Sequence, residues 1–224
     1  MNDTAVNKIE VMEDIYGEND KIAIGVKAKL TEKGIFAVNV MGAPGVGKTS
    51  VLKRLIEALS PEEVKAYVIE GDIESDIDTR DLRGLGIETL QINTFGACHL
   101  DAPLIQKAVD DIAMDTKGVL FIENIGNLVC PAEFNIGEHI KLLICSVTDG
   151  SDKPYKYPLA FEKADVILVN KVDLQQYLDF DEDFFMMGLR KLNKKAPVFK
   201  VSCKTGEGFA PVADCIKQYS FGIE

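Results

Sequence analysis

The chain is poor in the features that mark several whole classes of protein. Nowhere in its 224 residues does an apolar run approach the roughly 20 residues that a membrane-crossing helix needs, so no membrane span is expected. Its opening, MNDTAVNKIEVMEDIYGEND, is too acidic and too polar for a secretory leader, which points to the cytoplasm. Positive charge is scarce: 25 Lys and Arg stand against 36 Asp and Glu, a net charge of −11, with no compensating basic cluster. Such a field repels nucleic acid and anionic lipid, and neither is expected as a partner. Only two histidines occur, and the five cysteines are odd in number, scattered and without the regular spacing of a disulfide framework. In a reducing compartment that pattern suggests free thiols or metal ligands. No internal repeat, low-complexity tract or Pro/Ser-rich linker breaks the chain, and its length favours one domain over two.

What is present is alternation. Short β-branched and apolar runs at 35–41, 65–70, 89–93, 118–124, 141–147, 165–171 and 197–202 are separated by helix-like spacers. Continuous apolar strands of this kind are buried on both faces. The spacing therefore predicts an α/β, doubly wound and mainly parallel sheet of about seven strands. Residues 1–33 are expected to add an N-terminal helical element. Over 4–33 this reads as one or two amphipathic helices, with apolar Val6, Ile9, Val11, Ile15, Ile22, Ile24 and Leu30 and a break at GEND.

The stretch GAPGVGKTS, residues 42–50, follows the first strand and precedes a helix, and it fits the phosphate-binding pattern through Gly42, Gly47, Lys48 and Thr49. Glycines let successive N–H groups of Gly45, Val46, Gly47, Lys48, Thr49 and Ser50 face a β-phosphate, and the helix start adds positive potential. Lys48 is expected to bridge the β- and γ-phosphates and the Thr49 hydroxyl to ligate Mg²⁺. Residues 1–224 thus read as a single P-loop GTPase domain. The base is set by NKVD, with Asn170, Lys171 and Asp173 at the end of a strand. An aspartate accepts from the N1–H and amine of guanine, whereas adenine has no proton on N1, so GTP and GDP are expected over ATP. Ser202, Cys203 and Lys204 of SCKTGEG are expected to back the guanine ring. Asp72 in EGDIESDID and Glu123 in FIENIGN supply carboxylates near the phosphates and are expected to reach Mg²⁺ directly or through water. Lys48, Asp72 and Glu123 are then the candidate catalytic groups for phosphoryl transfer to water. No glutamine or arginine presents itself as an activating group, so slow intrinsic turnover is expected.

Cys98 and His99 stand side by side before a helix-like segment opening near Asp101, and Cys130 follows Glu123 by a few residues. Thiolate and imidazole suit Zn²⁺ and Ni²⁺, and three such groups fall short of a closed four-ligand site, which a two-fold dimer would complete. The residues alone leave a second reading open, in which both cysteines are small buried hydrophobes and His99 is a hydrogen-bonded loop residue. Cys145, Cys203 and Cys215 lie within strand- or helix-like runs and read as packing, and His139 reads as a surface residue.

MGAPGVGKTS, EGDIESDID, QINTFGACHLDA, FIENIGNLVCPAEF and VNKVDL, in this order, resemble the HypB family of hydrogenase nickel-incorporation GTPases, with the urease accessory GTPases as close relatives. The similarity runs from about residue 20 to the C-terminus and is most specific in CHLDA and ENIGNLVCPA. It implies a GTPase metallochaperone whose residues matching Cys98, His99 and Cys130 bind Ni²⁺ or Zn²⁺ at a nucleotide-dependent homodimer interface. It also implies, as partners, other hydrogenase maturation proteins and the hydrogenase large subunit precursor. The chain departs from the family at Phe95, where N-T-G is usual, at Arg80-Asp81, and in having no cysteine motif or histidine-rich tract near its N-terminus. The last departure implies transfer or regulation of nickel, not storage. A GTPase chaperone for urease or a cobalamin-dependent mutase, and a zinc-stabilised dimerisation module, are the alternatives.

Overall fold

The computed structural model describes residues 11–60, 64–72, 82–94 and 96–221, with the side chains of residues 11–16, Asp72 and Phe221 outside that description. Seven strands pair in parallel in the order β3-β2-β4-β1-β5-β6-β7: β1 Ile35–Gly42, β2 Lys65–Asp72, β3 Glu88–Asn93, β4 Gly118–Glu123, β5 Ile140–Ser146, β6 Val166–Asn170 and β7 Val198–Lys200. All seven coincide with the apolar runs read from the sequence. The reason is visible in β1, which is buried along its whole length. Val38 and Val40 point to one face and meet Val51, Leu52 and Leu55 of α2 (Lys48–Leu59) with Val212 and Ile216 of α8 (Phe209–Phe221). Ala37 points to the other face, into a cluster with Val26 and Leu30 of α1 (Val11–Glu32) and Ile105 and Val109 of α3 (Ala102–Asp111). Beyond them, Phe161 of α6 (Pro158–Lys163) and Phe185 and Leu189 of α7 (Glu182–Leu192) cover β5 and β6. Two short helices, α4 (Cys130–Glu133) and α5 (Lys153–Lys156), sit in the connections. None of the described helices is long and apolar enough to cross a membrane.

β1 lies between β4 and β5, and successive strands run outward from it in opposite directions. That reversal opens a crevice at the carboxyl ends of the strands, the position where doubly wound sheets bind ligands.

The N-terminal helical element departs from expectation in two ways. GEND, residues 17–20, does not break it: α1 runs through these residues without interruption. Asn19 is buried, its Oδ1 accepts from the Ala102 N–H at 2.9 Å and its Nδ2 donates to the Asn135 carbonyl at 2.8 Å. Tertiary hydrogen bonds of this kind override the roughly 1 kcal/mol that a mid-helix glycine costs relative to alanine. The buried stripe is Asn19, Ala23, Val26 and Leu30, and Ile24 is 66% exposed. Val6 and Ile9, and the side chains of Val11 and Ile15, lie outside the described residues.

His139, expected at the surface, is half-buried there. Its ring stacks on Phe36 with centroids 4.9 Å apart, and its Nδ1 accepts from the Ala37 N–H at 2.9 Å. Nε2 therefore carries the proton and faces Thr31 Oγ1 at 2.9 Å, while that hydroxyl donates to the Lys27 carbonyl. Burial first, then Lys27, lower its pKa from 6.5 to about 4 against the pull of Glu138. The unfolded chain takes up a proton near pH 6.5 that the folded chain refuses until about 4, so this contribution is complete above 6.5 and is lost as pH falls toward 4. Partial exposure brings the loss to about 1–2 kcal/mol. Urea unfolding between pH 7 and 4 should therefore show a steeper acid loss for the wild type than for His139→Gln, and equal slopes would contradict this role.

Candidate nucleotide and metal site

The phosphate loop leaves β1 at Gly42 and ends in the first turn of α2, whose N-cap is Gly47 with φ +91°. A Cβ at Gly47 would also lie 2.9 Å from Asn170 Nδ2, so both backbone shape and space require glycine here. Asn170 donates to the Val46 carbonyl at 2.8 Å and Lys171 Nζ donates to the Gly45 carbonyl at 2.6 Å, which latches the NKVD segment onto the loop at residues 42–50. Lys171, with φ +62°, is the one non-glycine with positive φ among the described residues; the turn it makes delivers Asp173 beyond the strand end. Asp173 accepts from Ser202 Oγ at 2.6 Å, and Ser202 is fully buried. The Cys203 thiol lies 3.4 Å from Asn170 Oδ1, its carbonyl accepts from Arg54 Nε, and burial pushes the thiol pKa up. Lys204 stands exposed at the tip of the same loop. The structure thus brings Gly45, Val46, Asn170, Lys171, Asp173, Ser202 and Cys203 into one connected wall.

Beside it lies a cleft of about 460 Å³ lined by Gly45, Gly47, Lys48, Thr49, Ser50 and Glu123 among others. Thr49 Oγ1 donates to Glu123 Oε1 at 3.0 Å. Glu70, the first residue of EGDIESDID, also lines this cleft, is buried and is in register with Glu123 on the neighbouring strand. Two carboxylates and a hydroxyl are the hard oxygen donors that suit Mg²⁺, so the residues fit that ion. Asp72 closes β2 opposite Asn93, but its side chain lies outside the described residues. Residues 73–81, with Arg80 and Asp81, and Phe95 also lie outside them.

The second cluster sits at the same carboxyl edge. Cys98 Sγ is 3.4 Å from His99 Nδ1 and 3.3 Å from Cys130 Sγ, and one donor atom from each residue lies within 4.8 Å of the others. Cys98 is exposed and the other two are half-buried, so the cluster lies at the surface. His99 stacks on Phe134 with centroids 4.0 Å apart, and burial lowers its pKa against Asp101 and Glu133, which favours the neutral ring that binds a metal. The hydrogen bond from Cys98, followed by burial, raises the Cys130 thiol, and a metal bound there would displace that proton. Cys145, by contrast, is fully buried and donates to the Leu168 carbonyl, a core thiol.

The loop backbone is held by buried amides whose partners lie far off in sequence. Asn124 Oδ1 accepts from the N–H groups of Leu100 and Ile125, and its Nδ2 donates to Asn39 Oδ1 at 3.2 Å. Asn39 continues to Glu138, which Lys141 neutralises. Asp101 caps α3 by accepting from the Leu104 N–H at 2.9 Å, fixing where the Cys-His loop ends. The ENIGN stretch directly after an apolar strand was the available signal for these amides.

Residues 36–200 match the CobW/HypB/UreG, nucleotide-binding domain. The hydrogenase maturation factor HypB of Azotobacter chroococcum is 42% identical over 200 residues, covering 89% of this chain and 65% of that protein, so the chain spans just under two thirds of that relative's length. The crystal structure of HypB from Helicobacter pylori in complex with nickel superposes with a TM-score of 0.83 at 32% identity, covering 91% of this chain and 95% of that one. The hydrogenase maturation factor HypB of Archaeoglobus fulgidus superposes with a TM-score of 0.84 at 36% identity, covering 91% and 99%.

Proposed function

Given that the chain belongs to the HypB group of the CobW/HypB/UreG family, we propose that it is a GTP-hydrolysing metallochaperone that carries nickel for hydrogenase maturation. The observation that carries this reading is the convergence of Cys98, His99 and Cys130 at the strand edge that also holds the phosphate loop. In this reading Asp173, steadied by Ser202, accepts from the N1–H and amine of guanine, and Asn170 and Lys171 keep the base segment in place. The N–H groups of residues 45–50 and Lys48 bind the phosphates. Thr49 and Glu123, with Glu70 and Asp72 from the neighbouring strand, would hold Mg²⁺, which neutralises phosphate charge when bound. Lys48 stabilises the charge that develops as water attacks the γ-phosphorus and GDP leaves.

Nickel is the cargo. Two thiolates and a neutral imidazole are three donors, and a second copy of the chain related by a two-fold axis would double them across an isologous interface. The 50% exposed Val129 beside Cys130 supports that homodimer, since an apolar residue at the rim gains by being covered. GTP and nickel, favouring one arrangement, raise each other's affinity, and hydrolysis loosens the grip. The maturation machinery and the hydrogenase large subunit precursor are the partners to which the cargo passes.

Steady-state phosphate release from GTP and from ATP tests the enzymatic half of this reading. Repeated turnover of GTP alone is expected; a single stoichiometric burst, or equal use of ATP, would leave the nucleotide as no more than an assembly signal.

A further inference from the structure

Asn127 touches three segments that the reading above needs to move together. Its backbone forms an antiparallel bridge with Gly42, the residue at which the phosphate loop leaves β1. Its side-chain Nδ2 donates to the Cys98 carbonyl at 3.2 Å, and its Oδ1 accepts from the N–H of Val129 at 2.9 Å, one residue before Cys130. The amide orientation is fixed by these partners, since a carbonyl only accepts and an N–H only donates. Its neighbour Gly126 lies against the phosphate loop as well: a Cβ there would stand 2.9 Å from Pro44 Cγ. Four residues before Asn127, Glu123 accepts from Thr49. The segment 123–127 therefore meets the phosphate loop at Gly42, Pro44 and Thr49, and hands that contact to both cysteine-bearing segments through one side chain.

We infer that Asn127 is the positioning residue through which the nucleotide site sets the spacing of Cys98 and Cys130. It binds neither phosphate nor metal itself. A shift of the phosphate loop that carries Gly42 moves the Asn127 backbone, and its planar amide, bonded at both ends, moves the Cys98 carbonyl and the Val129 N–H relative to each other. Two sulfurs 3.3 Å apart are close enough that a change of some tenths of an ångström alters how well both reach one ion. An asparagine serves because a donor and an acceptor on one short, flat group are both needed; alanine supplies neither, and aspartate keeps only the acceptor. The inference rests on the metallochaperone reading and names the element that couples its two sites, which is what linkage between two ligands requires.

The test is equilibrium Ni²⁺ binding to the full chain in GDP and in a nonhydrolysable GTP analogue, for wild type, Asn127→Ala and Asn127→Asp. The wild type is expected to show a ratio of affinities of about fivefold or more between the two nucleotides. In Asn127→Ala that ratio should fall to within about twofold of one, while Ni²⁺ and GTP each still bind. Asn127→Asp should behave likewise, because its carboxylate cannot donate to the Cys98 carbonyl. A wild-type ratio retained in both variants overturns the inference and leaves the metallochaperone reading standing. A wild-type ratio of one overturns that reading, and the inference with it. Loss of GTP binding or of all Ni²⁺ binding in both variants also overturns it, since Asn127 would then be part of one site and not the link between two.

Discussion

Replacing Cys98 and His99 together by alanine is expected to weaken Ni²⁺ binding by on the order of 10²-fold or more, with GTP affinity held within a few fold. The loss follows from the donor count. Cys98 Sγ, His99 Nδ1 and Cys130 Sγ are the soft and borderline donors at this edge, and removing two leaves a lone thiol that cannot chelate. Even changes outside a metal's immediate ligands cost about 10–100-fold, so losing two ligands exceeds that range. The fold should survive. Cys98 is exposed, His99 is half-buried, and the loop is held through backbone groups: Asn124 accepts from the Leu100 N–H and Asn127 donates to the Cys98 carbonyl. Isothermal titration of both proteins with Ni²⁺, and with GTP as the control ligand, checks this. Unaltered Ni²⁺ binding in the double variant would return the pair to loop packing.

The second large effect is expected at the base. Asp173→Asn should lower GTP affinity by about two to three orders of magnitude and largely abolish the preference for guanine. Two hydrogen bonds to a carboxylate, each worth about 1.5–3 kcal/mol, are lost or reversed when one oxygen becomes an amide donor facing the guanine N–H groups. The Ser202 hydroxyl, 2.6 Å from Asp173 Oδ1 and fully buried, fixes the carboxylate in the free protein, so little of the binding energy is spent on ordering it. Fluorescent-nucleotide competition with GTP and ATP reads both affinity and selectivity. A variant that retains wild-type discrimination would place guanine recognition elsewhere.

Much of this was legible in the sequence because the signals are local. A strand buried on both faces must be largely apolar, as β1, β4, β5 and β6 are, whereas the edge strands β3 and β7 are only partly buried; a phosphate loop needs glycine at fixed spacing, and Gly47 is found in the left-handed region. A helix opening near Asp101, and the placement of Cys98, His99 and Cys130 at one edge, also followed from motifs of a few residues. What was not legible depends on partners far away in the chain. His139 carries no mark of burial until the Ala37 N–H, 102 positions earlier, is seen to donate to it. GEND has the composition of a break, yet Asn19 holds the helix intact through bonds to Ala102 and Asn135. Asn124 and Asn127 look like loop asparagines until their bonds to Leu100 and Cys98 are drawn, and Glu70 gains meaning only from its register with Glu123.

The most direct test of the central claim, that one structural change serves both ligands, is Ni²⁺ affinity of the wild-type chain measured with GDP and with a nonhydrolysable GTP analogue while light scattering records its mass. The account predicts tighter Ni²⁺ binding with the analogue, by about fivefold or more, together with a doubling of mass. Equal affinity in the two nucleotides, at whatever mass, would contradict it.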